Sequence, residues 1–171
     1  EVGPSALRKY DVATYSSASN TVYVSDNRLT VYYRTAYPNT TAPTRITVTG
    51  MSEPLTVLPS ASDTLSQYKL GQTITLLLTQ DGRVAGVSTD NTARGNTVGY
   101  VSGGTVQLFN GLTFDDVPSS AAAEYDGQIV TVSSYGKSSV SLSRLSNRGV
   151  SGNLDVAARK VGSTELAGNA R

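Results

Sequence analysis

Apolar and polar residues alternate along most of this chain, which is the pattern of β-strands that bury one face. The clearest case is residues 73–79, in the most apolar run of the sequence. Asp81 and Gly82 follow, a pair that favours a two-residue type I′ turn, and residues 84–87 supply an apolar return strand. Ile74, Leu76 and Leu78 are predicted to face the core, and Thr73, Thr75 and Thr79 are predicted to face solvent.

Runs of the same kind predict strands along the whole chain, separated by residues that favour turns. Gly103 with Gly104, residues 109–111, and Tyr135 with Gly136 are the predicted turns of the second half. The remaining predicted strands are 9–15, 21–24, 29–36, 45–48, 55–58, 96–102, 105–108, 112–114, 127–132 and 138–142, with 152–156 and 160–166 in the tail.

Two short helices interrupt the strands. In the first, Ala61, Leu65 and Tyr68 fall on one helical face after Pro59, and Ser60 is expected to cap the helix start with its side chain. The second is predicted at 119–125, after Pro118. Each helix precedes a stretch that begins Gly-Gln and then alternates, at 71–76 and at 127–132.

Each half is therefore predicted to contain, in order, three strands, one short helix and two further strands. Closing such a sheet into a barrel removes its exposed edges, and the helix between the third and fourth strands can cover one open end. We predict an all-β fold with two short helices, arranged as two tandem small β-barrels of OB-like or SH3-like type. The predicted units are 1–90, with an N-terminal hairpin, and 96–171, with a C-terminal extension, joined by a polar link. The alternative is one continuous β-sandwich whose halves only look alike.

Composition excludes several classes of function. The net charge of +1 provides no basic surface for nucleic acid, and no apolar run is long enough to span a membrane. The chain has no Cys, His or Trp, so thiolate chemistry, the commonest general base and the usual stacking ring for sugars are all absent. The N-terminus has neither an initiator Met nor a signal-peptide pattern, and we expect a part of a longer protein.

Two short motifs resemble those of penicillin-recognising enzymes. Ser66 and Lys69 fit S-x-x-K, and Ser25 begins an S-D-N triplet, but their order is reversed and no K-T-G follows. Such motifs arise easily by chance in a Ser-rich chain, so we predict no catalytic residues.

Adjacent carboxylates at Asp115 and Asp116 are the main candidate for a metal site. With Glu124 or Asp126 they could supply oxygen ligands to Ca²⁺, provided that the segment is a loop. The favoured alternative is a solvated turn in which Asp116 lies near a helix N-terminus. We expect neither a metal nor a cofactor.

Tyrosines supply the remaining candidates for binding, because six of them lie in the first quarter of the chain: Tyr10, Tyr15, Tyr23, Tyr32, Tyr33 and Tyr37. Outward rings could stack on sugars or contact a protein, although Tyr is also a common strand residue. Residues 39–41 match a glycosylation acceptor, a short motif to which we assign no function, and the glycines at 95–104 lack the Lys-Ser/Thr pair of a phosphate loop.

Three stretches of the chain, at 7–30, 54–87 and 152–171, resemble the β-rich, non-catalytic region of large cell-surface proteins of Gram-positive gut clostridia that also carry S-layer homology domains. The resemblance rests on strand and turn patterning and includes no S-layer homology motif. It implies an extracellular location and a spacer or scaffold role, with flanking domains of the same chain, and it supplies no catalytic residues. The alternative is a binding module for a cell-wall glycan or another surface protein through an exposed barrel face or loops, with binding residues that the sequence leaves unknown.

Overall fold

The computed structural model describes residues 3, 5, 7–95, 97–108, 111–145, 152–158 and 160–165. These residues form several antiparallel sheets and two short helices, which confirms the predicted all-β character. An N-terminal hairpin pairs β1 (Val12–Ser16) with β2 (Thr21–Ser25). The tail forms a small sheet of β13 (Leu154–Asp155), β14 (Lys160–Val161) and β15 (Thr164–Glu165), where two strands were predicted.

Two five-stranded sheets make up the body of the protein. Sheet I contains β3 (Arg28–Tyr37), β4 (Arg45–Val48), β5 (Leu55–Thr56), β6 (Thr73–Leu78) and β7 (Val84–Ser88). Sheet II contains β8 (Thr97–Ser102), β9 (Thr105–Leu108), β10 (Thr113–Phe114), β11 (Ile129–Ser133) and β12 (Ser141–Arg144). Helix α1 (Pro59–Leu65) precedes β6, helix α2 (Ser119–Glu124) precedes β11, and a 3-10 turn at Asn91–Ala93 lies between the sheets in sequence.

The strands of the two sheets are arranged in the same order. Sheet I runs β5-β4-β3-β6-β7 and sheet II runs β10-β9-β8-β11-β12, so in each the first strand lies at the centre and the helix follows the third strand. The predicted strands and helices of both halves are thus confirmed in type and sequence order, with boundaries that differ by a few residues. Residues 109 and 110 of one predicted turn lie outside the described residues.

Strand β3 holds sheet I together because each half of it pairs with a different neighbour. Its first half pairs with β6 and its second half with β4, and the register shifts between Tyr33 and Thr35. A shift of this kind bends a strand and increases the local twist. Next to β5, Val57 forms a parallel bridge with Val84 of β7, and the Leu58 amide donates to the Val84 carbonyl (2.8 Å).

Buried apolar side chains of both sheets form one contiguous cluster. Leu29, Val31 and Tyr33 share the inward face of β3, as predicted. Leu65 of α1 and Phe114 of sheet II belong to the same cluster. The cluster also includes Ile46, Val48, Ile74, Leu76, Leu78, Val84, Val101, Val106, Val130 and Val132.

The polar face of β6 is buried in part, although the alternation predicted that it would face solvent; Thr73 is only half-buried. Thr75 and Thr79 are both buried, and the Thr75 hydroxyl is 2.9 Å from that of Thr30 on β3. Ser134, which follows β11, lies beside this part of β3 and donates through Oγ to the Thr30 carbonyl (3.1 Å). Ser134 of sheet II therefore contacts β3 beside the Thr30–Thr75 pair.

The β6–β7 hairpin is present, but its turn differs from the predicted type I′ turn. Gly82 has a positive φ of 78°, whereas Asp81 is not among the residues with positive φ. The Gly82 amide donates to the Thr79 carbonyl (3.0 Å), and Thr79 pairs with Arg83 across a three-residue loop. This is the arrangement of a type I turn followed by a left-handed Gly, which the Asp-Gly pair also permits.

Two further predictions about local structure are wrong. Ser60 does not cap α1; its hydroxyl donates to the Ala85 carbonyl of β7 (2.9 Å), and Leu58 takes the cap position before Pro59. The β11–β12 turn is not confined to Tyr135 and Gly136, because pairing resumes only at Ser133 and Ser141. The connection is longer since Ser134 pairs with Val31 of sheet I.

The matched Gly-Gln pairs have the same hydrogen bonds in both sheets. Gly71 and Gly127 have positive φ angles of 90° and 75°. The Gly71 amide donates to the Tyr33 carbonyl (2.8 Å) and the Gly127 amide to the Val101 carbonyl (2.9 Å). Glycine is required in both places because a side chain disfavours this backbone conformation.

Among the described residues, no helix is long and apolar enough to cross a bilayer.

Two leucines of the α1 region test the burial of the helix. Leu65 is fully buried, whereas Leu70, in the turn after the helix, is 47% exposed. We expect Leu65→Ala to lower the free energy of unfolding by about 2–5 kcal/mol because it leaves a cavity. Leu70→Ala should change it by about 0.5 kcal/mol or less. Urea denaturation followed by circular dichroism measures both, and equal losses would contradict the packing of α1.

Candidate functional site

One contact between the two sheets is made by hydrogen bonds of the backbone. Its central element is Ser134, whose carbonyl accepts a hydrogen bond from the Tyr32 amide (2.7 Å) beside the parallel bridge to Val31. The Ser134 side chain is buried and bonds to the Thr30 carbonyl. A backbone link with its polar groups satisfied in this way fixes the separation of the sheets.

Gly50 makes a second contact between the sheets. Its carbonyl accepts hydrogen bonds from the amides of Asp115 (3.1 Å) and Asp116 (3.2 Å). A Cβ at Gly50 would lie 2.6 Å from Phe114 Cδ1 and closer still to Val140, and the residue has a φ of 96°. Only glycine fits here, for both steric and conformational reasons.

The adjacent carboxylates that sequence offers as a calcium site point to different partners. Asp115 Oδ1 accepts from the Ser52 amide (2.8 Å), whereas Asp116 Oδ2 lies 3.8 Å from Arg34 Nη1. Asp126 accepts from the Gly103 amide (3.2 Å) instead of joining them. Within the described residues, no group of three acidic side chains could hold a metal ion.

Hydrogen bonding sets the ionisation of Asp115. Partial burial would raise the pKa of its carboxyl, but hydrogen bonds from the side chain and amide of Ser52 and from the amides of Asp115 and Asp116 outweigh burial and lower the pKa below its ordinary value. The carboxylate therefore acts as an acceptor that ties the β4–β5 connection of sheet I to sheet II.

Residues of the S-x-x-K and S-D-N motifs have local structural contacts. Ser66 Oγ donates to the Asp63 carbonyl (2.7 Å), at the end of α1. Ser25 Oγ accepts from the Asn27 amide (3.1 Å), after β2. Among the described residues, neither motif shares a hydrogen bond with the other, and both hydroxyls serve turns.

A groove of about 390 Å³ lies between the β4–β5 connection, the β6–β7 turn and residues 111–115. Its charged side chains largely engage neighbours: Asp81 Oδ2 is 2.7 Å from Arg83 Nε, and Asp115 bonds to Ser52. The Thr79 hydroxyl donates a hydrogen bond to Asp81. This bond is the largest of the effects that lower the pKa of the Asp81 carboxyl. Glu53 is the remaining acid of the lining.

The tyrosines are spread over separate surfaces. Tyr33 is fully buried, and burial raises the pKa of its phenol, so it is unavailable to a ligand. Tyr32 lines a shallow groove of about 280 Å³ with Arg34 and Lys137. Tyr37 is 59% exposed and lines a second groove, of about 260 Å³. Arg45 lines the same groove, and its guanidinium lies 4.7 Å from the centre of the Tyr37 ring. Each groove thus contains one aromatic ring.

A further polar cluster joins the chain before β1 to the link between the sheets. Tyr10 Oη donates to Asp90 Oδ2, and Lys9 Nζ lies 3.4 Å from the same atom. These contacts and a bond from the Thr92 amide lower the pKa of Asp90, with the Tyr10 hydroxyl as the largest cause. Arg28 donates to the Lys9 carbonyl (3.2 Å). Sequence reasoning missed this cluster because its members are some 80 residues apart.

We expect Asp115→Asn to destabilise the protein in a pH-dependent way. The pKa of Asp115 is lowered by folding, so its contribution is present above the unfolded pKa of about 4 and is lost as the pH falls through the folded pKa. At pH 7 the loss should be about 0.5 kcal/mol, since the carboxyl is exposed to solvent screening. Urea midpoints at pH 7 and pH 3 measure it, with Asp116→Asn as the control that should change little. A loss of equal size at both pH values would contradict the role of the carboxylate.

With the geometry of these sites established, we compared the chain with protein-family models, curated proteins and solved structures. None of the three comparisons finds a match. The residues and their contacts are therefore the basis of the functional proposal below.

Proposed function

We propose that this chain is a non-enzymatic structural segment of a bacterial cell-surface protein, built from two OB-like small barrels in series. The location on the cell surface, and partners such as cell-wall glycan, other surface proteins or flanking domains, follow from the resemblance of the sequence. The mechanical role is supported by the contact between the sheets, which is the observation that carries the proposal.

The barrel interpretation is supported by the order of the strands. Each sheet has its first strand at the centre, and a helix follows the third strand. In sheet I the third and fifth strands meet at the Val57–Val84 bridge, which brings the two edges of one curved sheet together. Closure of this kind protects edges that would otherwise pair with other chains. We extend the same closure to sheet II because its strand order is identical, and we propose that residues 1–90 and 96–171 correspond to the two units.

The spacer role follows from how firmly the two units are held. A segment that sets a distance must resist bending between its parts, and a loose linker does not. Here the sheets share a contiguous apolar cluster, a backbone bridge at Ser134 and paired amide bonds to Gly50. Desolvated hydrogen bonds next to apolar contacts allow few alternative arrangements. The two units should therefore move as one body.

Substitution at Gly50 tests the rigid junction. We expect the amides of β3 and β11 to show the same opening free energy in the natural chain, because the sheets unfold together. Gly50→Ala should lower stability by about 3 kcal/mol and make sheet II open before sheet I, since the new Cβ collides with Phe114 and Val140. Hydrogen exchange with mass spectrometry in increasing urea reports each sheet separately.

Gly104→Ala is the matched control for this substitution. Gly104 also has a positive φ, of 86°, but no atom lies within 4 Å of the position that a Cβ would occupy, so only backbone strain of about 1 kcal/mol is expected. Unfolding should remain a single event in this variant. Independent opening of the two sheets in the natural chain would overturn the proposed rigid segment.

A binding module is the second candidate, and the surface around Tyr37 favours it. The ring is exposed beside Arg45, and the groove also contains the hydroxyls of Thr35 and Thr47, which are 2.6 Å apart. An aromatic face next to hydroxyl groups can stack on a sugar ring and bond to its edges. The wide separation of the other exposed tyrosines favours the structural role instead.

Binding of the chain to a glycan array and to isolated cell wall distinguishes the two candidates. If the module binds glycan, Tyr37→Ala should weaken binding at least about tenfold through loss of the stacking ring. Tyr100→Ala is the control, because Tyr100 is 41% exposed on sheet II and lines none of the grooves described above. Absence of saturable binding would leave the structural role as the better account.

A further inference from the structure

Positive charge is concentrated in the shallow groove of about 280 Å³ that Tyr32 lines. Arg34 of β3 in sheet I and Lys137 of the β11–β12 connection in sheet II both line this groove, and its described lining contains no acid. The whole chain, by contrast, has a net charge of only +1. The two cations therefore create a local field of the sign that attracts an anion.

Neither cation is fully neutralised within the described part of the chain. Lys137 has no ion-pair partner there, and Arg34 has one, Asp116, whose Oδ2 lies 3.8 Å from Arg34 Nη1. This distance is too long for a hydrogen bond, and both side chains are about half exposed, so the pair is weak. The guanidinium donors of Arg34 are therefore available to a second anion.

Hydrogen bonds to sheet I hold the backbone that carries Lys137. The Tyr135 carbonyl accepts a hydrogen bond from the Thr73 hydroxyl (3.5 Å). The Lys137 carbonyl accepts one from the Thr49 hydroxyl (3.4 Å). Both bonds follow closely on the bridge at Ser134, so this connection is attached to sheet I at three points. A site whose backbone is fixed in this way loses less conformational freedom when a ligand binds.

Tyr32 adds an aromatic ring and a third hydrogen-bond donor to the groove. A Cβ at Gly71 would lie 3.2 Å from the Tyr32 hydroxyl oxygen, and both residues line the groove. The hydroxyl has no hydrogen-bond partner among the described residues, so it can donate to a ligand. Leu70, which is 47% exposed, adds apolar surface to the same lining.

We propose that this groove binds an acidic sugar, with Arg34 and Lys137 at its carboxylate and with Tyr32 and Leu70 against the apolar face of its ring. A guanidinium group matches a carboxylate through two parallel hydrogen bonds, and an aromatic ring can stack on a sugar ring. The volume of the groove is near the lower end of the range for small-molecule sites, which fits one sugar residue.

This site is independent of the structural role proposed above, which concerns the junction between the sheets. It also differs from the groove at Tyr37, which contains a single cation, Arg45. Tyr37→Ala should therefore leave the binding of an acidic sugar unchanged, and failure of either proposal leaves the other standing.

Titration of the isotope-labelled full chain with sodium glucuronate tests the proposal, with amide chemical shifts recorded at constant ionic strength. We expect saturable shifts at residues 34, 35, 71 and 137. The dissociation constant should be about 1 mM, as expected for a ligand of this size. Glucose, which lacks the carboxylate, and inorganic phosphate, which lacks the ring, should each bind at least about tenfold more weakly.

Substitutions around the groove should change glucuronate binding in opposite directions. Arg34→Gln and Lys137→Gln should each weaken it at least about fivefold, because a charge-assisted hydrogen bond to the carboxylate is lost. Asp116→Asn should strengthen it about twofold, because the anion that competes for Arg34 is removed. A general loss of folding would not produce tighter binding.

Arg144→Gln is the matched control. Arg144 is an exposed cation on β12 that lines none of the grooves described above, and its loss changes the net charge by the same amount. It should leave the affinity for glucuronate unchanged. Shifts that do not saturate, equal weakening in Arg144→Gln, or phosphate that binds as tightly as glucuronate would each overturn the proposal.

Discussion

Strand β3 has hydrogen-bond partners in both sheets. It is the central strand of sheet I, pairs with β6 and β4 through different halves, and also bonds to Ser134 of sheet II. A strand in this position has buried polar groups on more than one side, and each needs a partner. The Thr30 hydroxyl forms a hydrogen bond with the Thr75 hydroxyl, and the Thr30 carbonyl accepts one from Ser134 Oγ. Satisfying β3 therefore requires both sheets to be in place.

The same requirement explains the character of the surface residues that first suggested chemistry. Asp115 accepts a hydrogen bond from the Ser52 amide, and Ser66 and Ser25 complete turns. Carboxylates used in this way are held in their ionised form by local hydrogen bonds. The Asp115 carboxylate joins segments 63 residues apart, which is consistent with the structural role that we propose.

Much of the local structure could be predicted from patterning, because strands and helices bury residues at fixed spacings. The inward faces of β3 and β6, the positions of both helices and the Gly103-Gly104 turn are confirmed by the structure. Errors arose where tertiary contacts changed the local preference. Ser60 bonds to β7 instead of capping α1, and Ser134 leaves its hairpin to pair with β3. The candidate sites were predicted less well, since the cluster of Tyr10 and Asp90 carries no signal in sequence.

Composition and periodicity alone establish the kinds of element, their order, and the lack of the side chains that thiol or imidazole chemistry needs. These follow from composition and from periods of a few residues, which are local properties. Three features are set by tertiary contacts: Thr75 on the polar face of β6 is buried, Gly50 lies against Phe114 and Val140, and the apolar face of the N-terminal hairpin is exposed. Each of these depends on which distant segments come into contact, because burial is a property of the neighbours that a residue acquires on folding.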